Sequence, residues 1–286
     1  MPKKPFDLLV SDKSPIEYVE RSTIRVDDGC LVAYSVCPTT GESITRQIPC
    51  ASTALLFLGP GVSISSDAAR MAALHDMHVG FVRGGSNVHS VWMCGRWKDP
   101  RRVVSQCMRY NSPQERIRIA RTLVGYRLRR EGADSETITR SKEAISIEEL
   151  LGIEASWAKK LYRSVADETQ QIFKRDLKSH KGVNGALSLL NNALYSIVTM
   201  VIIQCGLSPS VGFVHGQSRR GGLSFDLADL YKKNLTIIPA FRGHHLGHQY
   251  LMQNFSESLR HGYSSAVREM IEICNWIVEG GEWPLE

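Results

Sequence analysis

The sequence predicts an α+β protein, a strand-rich N-terminal domain followed by an all-α domain, and three observations carry that expectation. Short alternating polar and apolar runs, each closed by a Gly, Pro, Asp or Thr cluster, fill the chain from Tyr18 to about Trp97. Beyond Asp99-Pro100 the apolar residues recur at three- and four-residue intervals instead. The 286 residues, 43% hydrophobic and 22% charged, suffice for one large domain or two ordinary ones with a real core. The change of period places the expected boundary at residue 97, giving domains 1–97 and 98–286.

Ser22 to Val26 alternates, Asp27-Asp28-Gly29 is a turn, and Cys30 to Ser35 is a second run, so a hairpin is expected there. Pro38 to Gly41 marks another turn, Ser43 to Ile48 a further strand, and Ala54 to Leu58 a short apolar strand stopped by Gly59-Pro60-Gly61. Ser66 to Leu74 reads as a capped, Ala-rich helix, with a strand from His78 to Val82. Helices are expected across the arginine-rich stretch after Pro100, with Ile117, Ala120, Leu123, Val124 and Leu128 on one face. Further helices are expected over Ile147 to Phe173, Gly185 to Cys205, Phe225 to Lys233 and Gln249 to Val278; 130–146 and 176–184 read as polar connections.

Several function classes are disfavoured. The longest uninterrupted apolar run, Ala54 to Leu58, is far short of the roughly 20 residues that span a bilayer. Lys3 and Lys4 are not followed by the apolar region and cleavage site of a secretory signal, so a cytoplasmic protein with no membrane association is expected. Seven cysteines without a C-x-x-C pair argue against a disulfide framework or a thiolate zinc site, and are expected to be buried free thiols. Gly59 and Gly61 lack the downstream Gly and Lys-Ser/Thr of a phosphate loop. The net charge of +6 is concentrated: nine arginines lie between Arg101 and Arg130, with Glu115 the single acid among them. Such a face either is merely solvated or meets a polyanion, for which nucleic acid is the natural choice. Tyr110 and Tyr126 suit base stacking and core packing equally.

Candidate chemistry lies in two later segments. Asp226 and Asp229 stand three apart at the start of an expected helix, and His215 precedes them across a glycine-rich turn. Two carboxylates and an imidazole can hold a divalent ion; equally, Asp226 can cap the helix with Asp229 in its first turn while His215 is a hydrogen-bonded core residue. A third acid would complete a partial shell, and Glu154, in Leu150-Leu151-Gly152-Ile153-Glu154, is the best of several offers against the reading of an exposed N-terminal glutamate. His244, His245 and His248 have zinc-like spacing but no acid or thiol within five residues, and read as polar or DNA-facing. No Gly-x-Ser-x-Gly elbow supports a serine nucleophile.

The segments Leu151-Gly152-Ile153-Glu154-Ala155, Gly206-Leu207-Ser208-Pro209 through Gly212-Phe213-Val214-His215, and Leu223-Ser224-Phe225-Asp226-Leu227-Ala228-Asp229 resemble the Cas-one family of CRISPR adaptation integrases. Leu58 to Ser65, with the helix and strand that follow, resembles the same family's N-terminal domain, and Arg219-Arg220-Gly221-Gly222-Leu223 looks most like its subtype I-F branch. The resemblance implies an N-terminal β-domain for dimerisation and partner contacts and a helical catalytic domain. It further implies a homodimer, two of which assemble around a dimer of Cas-two, in the I-F branch a Cas-two/three fusion. Carried over by position, Glu154, His215 and Asp229 are metal ligands for Mg2+ or Mn2+, with Asp226 a supporting carboxylate. Arg109, Arg116, Arg118, Arg121, Arg219 and Arg220 line the path of double-stranded DNA, both the captured prespacer and the CRISPR repeat and leader. The implied activity is metal-dependent insertion of short DNA fragments as new spacers by 3′-hydroxyl transesterification, with endonuclease activity when water replaces the hydroxyl. The alternatives are a structure-specific repair DNase and a non-catalytic DNA-binding scaffold.

Overall fold

A computed structural model describes residues 14–37, 39–83, 87–91, 99–216 and 221–285. The chain divides into two compact units, Met1–Trp97 with Met252–Val267, and Lys98–Leu251 with Arg268–Glu286.

The first unit is strand-rich. Strands β1 (Ser14–Val19), β5 (Thr53–Leu58), β7 (His78–Arg83) and β8 (Asn87–Val91) form one sheet in the order β1-β5-β7-β8; β4 (Ser43–Ile48), β3 (Cys30–Val36), β2 (Ser22–Asp27) and β6 (Ser63–Ile64) form a second in the order β4-β3-β2-β6. The β2–β3 hairpin pairs Asp27 with Cys30, so its loop is Asp28-Gly29, and both have positive φ (45° and 72°). That is the backbone of a two-residue turn whose twist matches the strands it joins. Strand β5 pairs in parallel with both β1 and β7. Its Leu56, Phe57 and Leu58 are all buried, as a strand covered on both faces requires. Ile24, Leu31, Ile48, Leu56, Leu58 and Val79 pack with Ala68 and Ala72 of helix α1 (Ser66–Leu74) in one core.

The second unit is helical throughout its described elements: α2 (Pro100–Asn111), α3 (Pro113–Glu131), α4 (Ser135–Glu143), α5 (Ile147–Glu168), α6 (Gly182–Gln204), α7 (Gly222–Ala228), α8 (Ile238–Gly243) and, shared with the first unit, α9 (Gly247–Glu279). The arginine-rich stretch is two helices, because Ser112 caps α3 by accepting from Glu115 N and Pro113 opens it. The expected polar connection 130–146 contains α4, capped by Asp134 through Thr137 N; capping and packing of α4 on α3 override its polar composition. Phe225 to Lys233 is not one helix. Helix α7 ends at Ala228 and a π-helical turn, Lys233–Ile237, leads into α8. Pro239 lies in the first turn of α8 and has no N–H to return to Leu235.

Helix α6 corrects a second expectation. It is long and apolar enough to cross a bilayer by composition, with a mean hydropathy of 1.8, but 78% of that window is buried inside the protein, so its apolar surface is used by the core. The cysteines differ too: Cys274 is buried, Cys30 is exposed, and Cys37, Cys50, Cys107 and Cys205 are half-buried. Cys94 lies outside the described residues.

Candidate metal centre

Glu154 stands in the second turn of α5, on the face that buries Leu150, Ile153, Leu161 and Val165. It is 7% exposed, so it points into the core and is not an exposed helix-start glutamate. His215 lies on the segment after α6, where two backbones cross at Gly212 and Gly222. A Cβ on Gly212 would fall inside contact distance of Gly222 C and Leu223 N, so only glycine fits there.

Asp226, in the middle of α7, holds that crossing together. Its Oδ2 accepts from Phe213 N at 2.6 Å and Val214 N at 3.0 Å, and its Oδ1 accepts from His215 N at 3.0 Å. The same Oδ1 lies 2.9 Å from His215 Nδ1. Asp226 therefore caps no helix. It fixes the imidazole with Nδ1 toward itself, which leaves Nε2 facing Glu154 Oε2 at 3.7 Å. Asp229 follows α7 as its C-cap, one turn beyond Asp226.

One ligand atom from each of Glu154, His215 and Asp229 lies within 4.8 Å of the others, and all three residues are buried. Among the described residues no other group of three His, Cys, Asp or Glu comes together in this way, and Asp226 is spent on backbone and imidazole. Buried carboxylates need counter-charge, and the chain supplies it. Arg127, on the inner face of α3, pairs with Glu154 and, at 3.2 Å, with Asp229; its Nε donates to Glu131 at 3.1 Å. Lys232 pairs with the other oxygen of Asp229. Glu131 is held in turn by Trp157 Nε1 at 2.6 Å.

Burial, with the Asp229 carboxylate beside it, pushes Glu154 up to about 7, although Arg127 works the other way. Burial acts in the same sense on Asp229, but Lys232 and Arg127 outweigh it and hold that carboxyl well below the usual range. For His215 burial opposes the charged form, while the Asp226 hydrogen bond and the Glu154 charge leave its pKa raised. Two carboxylates and one imidazole nitrogen, converging and oriented by an outer carboxylate, form a donor set suited to a divalent cation that keeps open positions. The residues fit such an ion.

Comparison with known proteins agrees with this geometry. The family model of CRISPR associated protein Cas1 matches residues 131–242, which contain all three residues of the centre. A CRISPR-associated endonuclease Cas1 from Clostridium sp. (strain SY8519) is 30% identical over 241 residues, covering 81% of this chain and 74% of the relative. The chain belongs to the Cas1 family. A Cas1 endonuclease from Chlorobaculum tepidum is 26% identical over 238 residues, covering 81% of this chain and 75% of that protein. Among solved structures, a Cas1 protein from Thermotoga maritima superposes with a TM-score of 0.79 at 17% identity over 95% of this chain and 99% of that one. A casposase bound to integration product does so with 0.79 at 14% identity, covering 94% and 92%. These two share the Cas1 fold; its strand-rich region followed by a helical domain is the expected α+β class.

The arginines of this Cas1 chain are less free than their sequence suggests. Arg109 and Arg118 share Glu115, at 2.9 and 3.0 Å. Arg116 lies over the Tyr110 ring, 4.7 Å from its centroid, and donates to Phe213 O at 3.3 Å; Arg121 donates to Ala144 O at 2.7 Å. The latter two bond neutral carbonyls and keep their full charge. Arg219 and Arg220 lie outside the described residues. His244 and His245 sit in the 3-10 turn His244–Leu246, with His248 at the start of α9. The residues missed in the sequence are Arg127, Glu131 and Lys232. The available signal was the i, i+4 spacing of Arg127 and Glu131 in register with Val124 and Leu128, which places this ion pair on the apolar side of α3.

Proposed function

We propose that this Cas1 chain inserts short DNA fragments as new spacers into a CRISPR array, a metal-dependent transesterification in which a DNA 3′-hydroxyl attacks a backbone phosphodiester. The observation that carries this reading is the convergence of Glu154, His215 and Asp229 in one buried group of a Cas1-family chain. A Mg2+ or Mn2+ ion held by these three would stabilise the charge that grows on the phosphate and leaving oxygens. His215 would serve through Nε2, because Asp226 engages Nδ1 and pins the loop behind it. Arg127, anchored by Glu131, holds the two ligand carboxylates together and tempers their repulsion before the ion arrives. An imidazole in the set favours Mn2+ over Mg2+ on intrinsic affinity. The same site with water as nucleophile gives the endonuclease activity named for the relatives.

Double-stranded DNA, as prespacer and as repeat and leader, is the substrate in this reading; two solved neighbours are a Cas1–DNA complex and a casposase bound to integration product. Arg116 and Arg121 are the best of the expected DNA contacts, since neither pairs with an acid among the described residues, with Arg109, Arg118, Arg219 and Arg220 assigned beside them. The first unit serves dimerisation and partner contact, the second catalysis, and two homodimers act with a Cas-two dimer in the cytoplasm. The subtype I-F assignment, with a Cas-two/three fusion as partner, rests on Arg219 to Leu223.

The decisive experiment joins a labelled short duplex to a supercoiled plasmid carrying a CRISPR repeat, with Mn2+, this protein and its Cas-two partner. Joined product that His215→Ala abolishes is expected. Plasmid nicking without joining returns the site to a repair nuclease, and DNA binding with neither reaction to a scaffold.

A further inference from the structure

Helix α3 has two faces with different tasks. Val124, Arg127 and Glu131 point to the buried metal centre, whereas Arg118, Arg121, Gly125 and Arg129, spaced at three, four and four, follow the other side. On that side they border a cavity of about 270 Å3 with Lys142 of α4 and Trp283 of the C-terminal segment. Among the described residues, four cations and no acid line it. Arg118 is shared with Glu115 outside the cavity lining, and Arg121 donates to the Ala144 carbonyl and pairs with no acid among the described residues. Arg129 and Lys142 are exposed and pair with no acid among the described residues.

A second observation concerns Trp283. Its ring packs against Tyr126 and Trp276, with centroids at 5.2 and 4.9 Å, while its Nε1 is buried with no hydrogen-bond acceptor among the described residues. A buried N–H without an acceptor is costly, and around one small cavity three cations that pair with no acid among the described residues, Arg121, Arg129 and Lys142, repel one another beside Arg118. An anion with several acceptor oxygens in the cavity relieves that repulsion.

We propose that Arg118, Arg121, Arg129, Lys142 and Trp283 form a phosphate-binding pocket, separate from the metal centre, that takes one phosphate group of DNA. The inference adds an anchoring point to the proposed function and rests on its DNA substrate, not on its chemistry. A guanidinium pair grips phosphate oxygens in fork geometry, and Lys142 adds a point charge. The phosphate is either a backbone diester or a terminal 5′-monoester, whose second charge suits a pocket with four cations.

The test measures binding in EDTA, so that no metal chemistry enters, using a short duplex with 5′-hydroxyl ends and the same duplex with 5′-phosphates over a range of salt. In Arg129→Gln/Lys142→Gln, affinity is expected to fall at least fivefold, with the log–log salt slope shallower by about 0.9 for each phosphate that the variant no longer neutralises. Equal reductions on the two duplexes identify a backbone phosphate; a reduction confined to the phosphorylated duplex identifies a terminal one. Arg129→Lys/Lys142→Arg should restore binding. Arg140→Gln/Arg163→Gln removes equal charge at exposed sites outside the pocket. An equal reduction in that control, no reduction in the pocket variant, or a wild type that binds neither duplex overturns the proposal. Pocket-dependent binding without strand transfer would overturn the proposed integrase and leave the pocket standing.

Discussion

At the scale of single residues, the centre is a balance of buried charges. Glu131, Glu154 and Asp229 surround Arg127, and Lys232 serves Asp229 from the other side. Removing one partner from such a network leaves uncompensated charge in the core, at a cost of about 3–5 kcal/mol. Arg127→Met is therefore expected to lower stability by about that amount at pH 7, read from the urea midpoint of the metal-free protein. The pH dependence has a definite sign. Arg127 and Lys232 depress Asp229 below its unfolded value, so their stabilisation is present above the unfolded carboxylate range and is lost as pH falls through the lower folded value. The gap between wild type and Arg127→Met should thus narrow in acid, and a gap independent of pH would show that Arg127 acts through packing alone.

Among the elements, helix α7 and residues 212–215 that pack against it are tightly constrained. Asp226 receives three backbone N–H groups from residues 213–215, and the Gly212–Gly222 crossing sets where that loop runs. Gly212→Ala forces backbone against backbone and is expected to cost about 3 kcal/mol, because neither strand of the crossing can yield. Gly152→Ala is the contrasting change. A Cβ there meets nothing within 4 Å and the site lies inside α5, so a gain of about 0.5–1 kcal/mol is expected. Urea unfolding of the two variants distinguishes a steric requirement at Gly212 from a general preference of the fold for glycine. Helix α3 teaches a related point. Its arginine content suggested a single charged face, yet Arg127 lies on the buried side and Arg121 and Arg129 on the other.

For the whole molecule, metal binding should register as stability. A ligand that binds only the folded state adds about 2.7 kcal/mol at one hundred times its Kd, worth roughly 5–10 °C in the melting of a domain of about 200 residues. Mn2+ is expected to raise the Tm of the wild type and to leave Glu154→Gln/Asp229→Asn nearly unmoved; calorimetry with EDTA as the reference state checks it. Equal shifts in both proteins would place the ion elsewhere. Magnesium should give a smaller shift at the same concentration, following the imidazole ligand.

Much of this protein is local in origin and therefore legible in its sequence. Alternation with Asp28-Gly29 at a turn yields the β2–β3 hairpin, and capping by Ser65 and Ser146 starts α1 and α5, because these signals act between residues a few positions apart. The three segments around Glu154, His215 and Asp229 could be recognised as family motifs, yet their spacing left the reading of Asp226 as a helix cap open. The parallel pairing of β5 with β1 and β7, the meeting of Glu154 with His215 across 61 positions, and the placement of Arg127 between two carboxylates depend on how separate elements pack. Residue type and spacing record what a side chain can do. Whether an arginine neutralises a buried carboxylate or faces a phosphate is decided by which side of its helix the core covers, and that is set by tertiary packing.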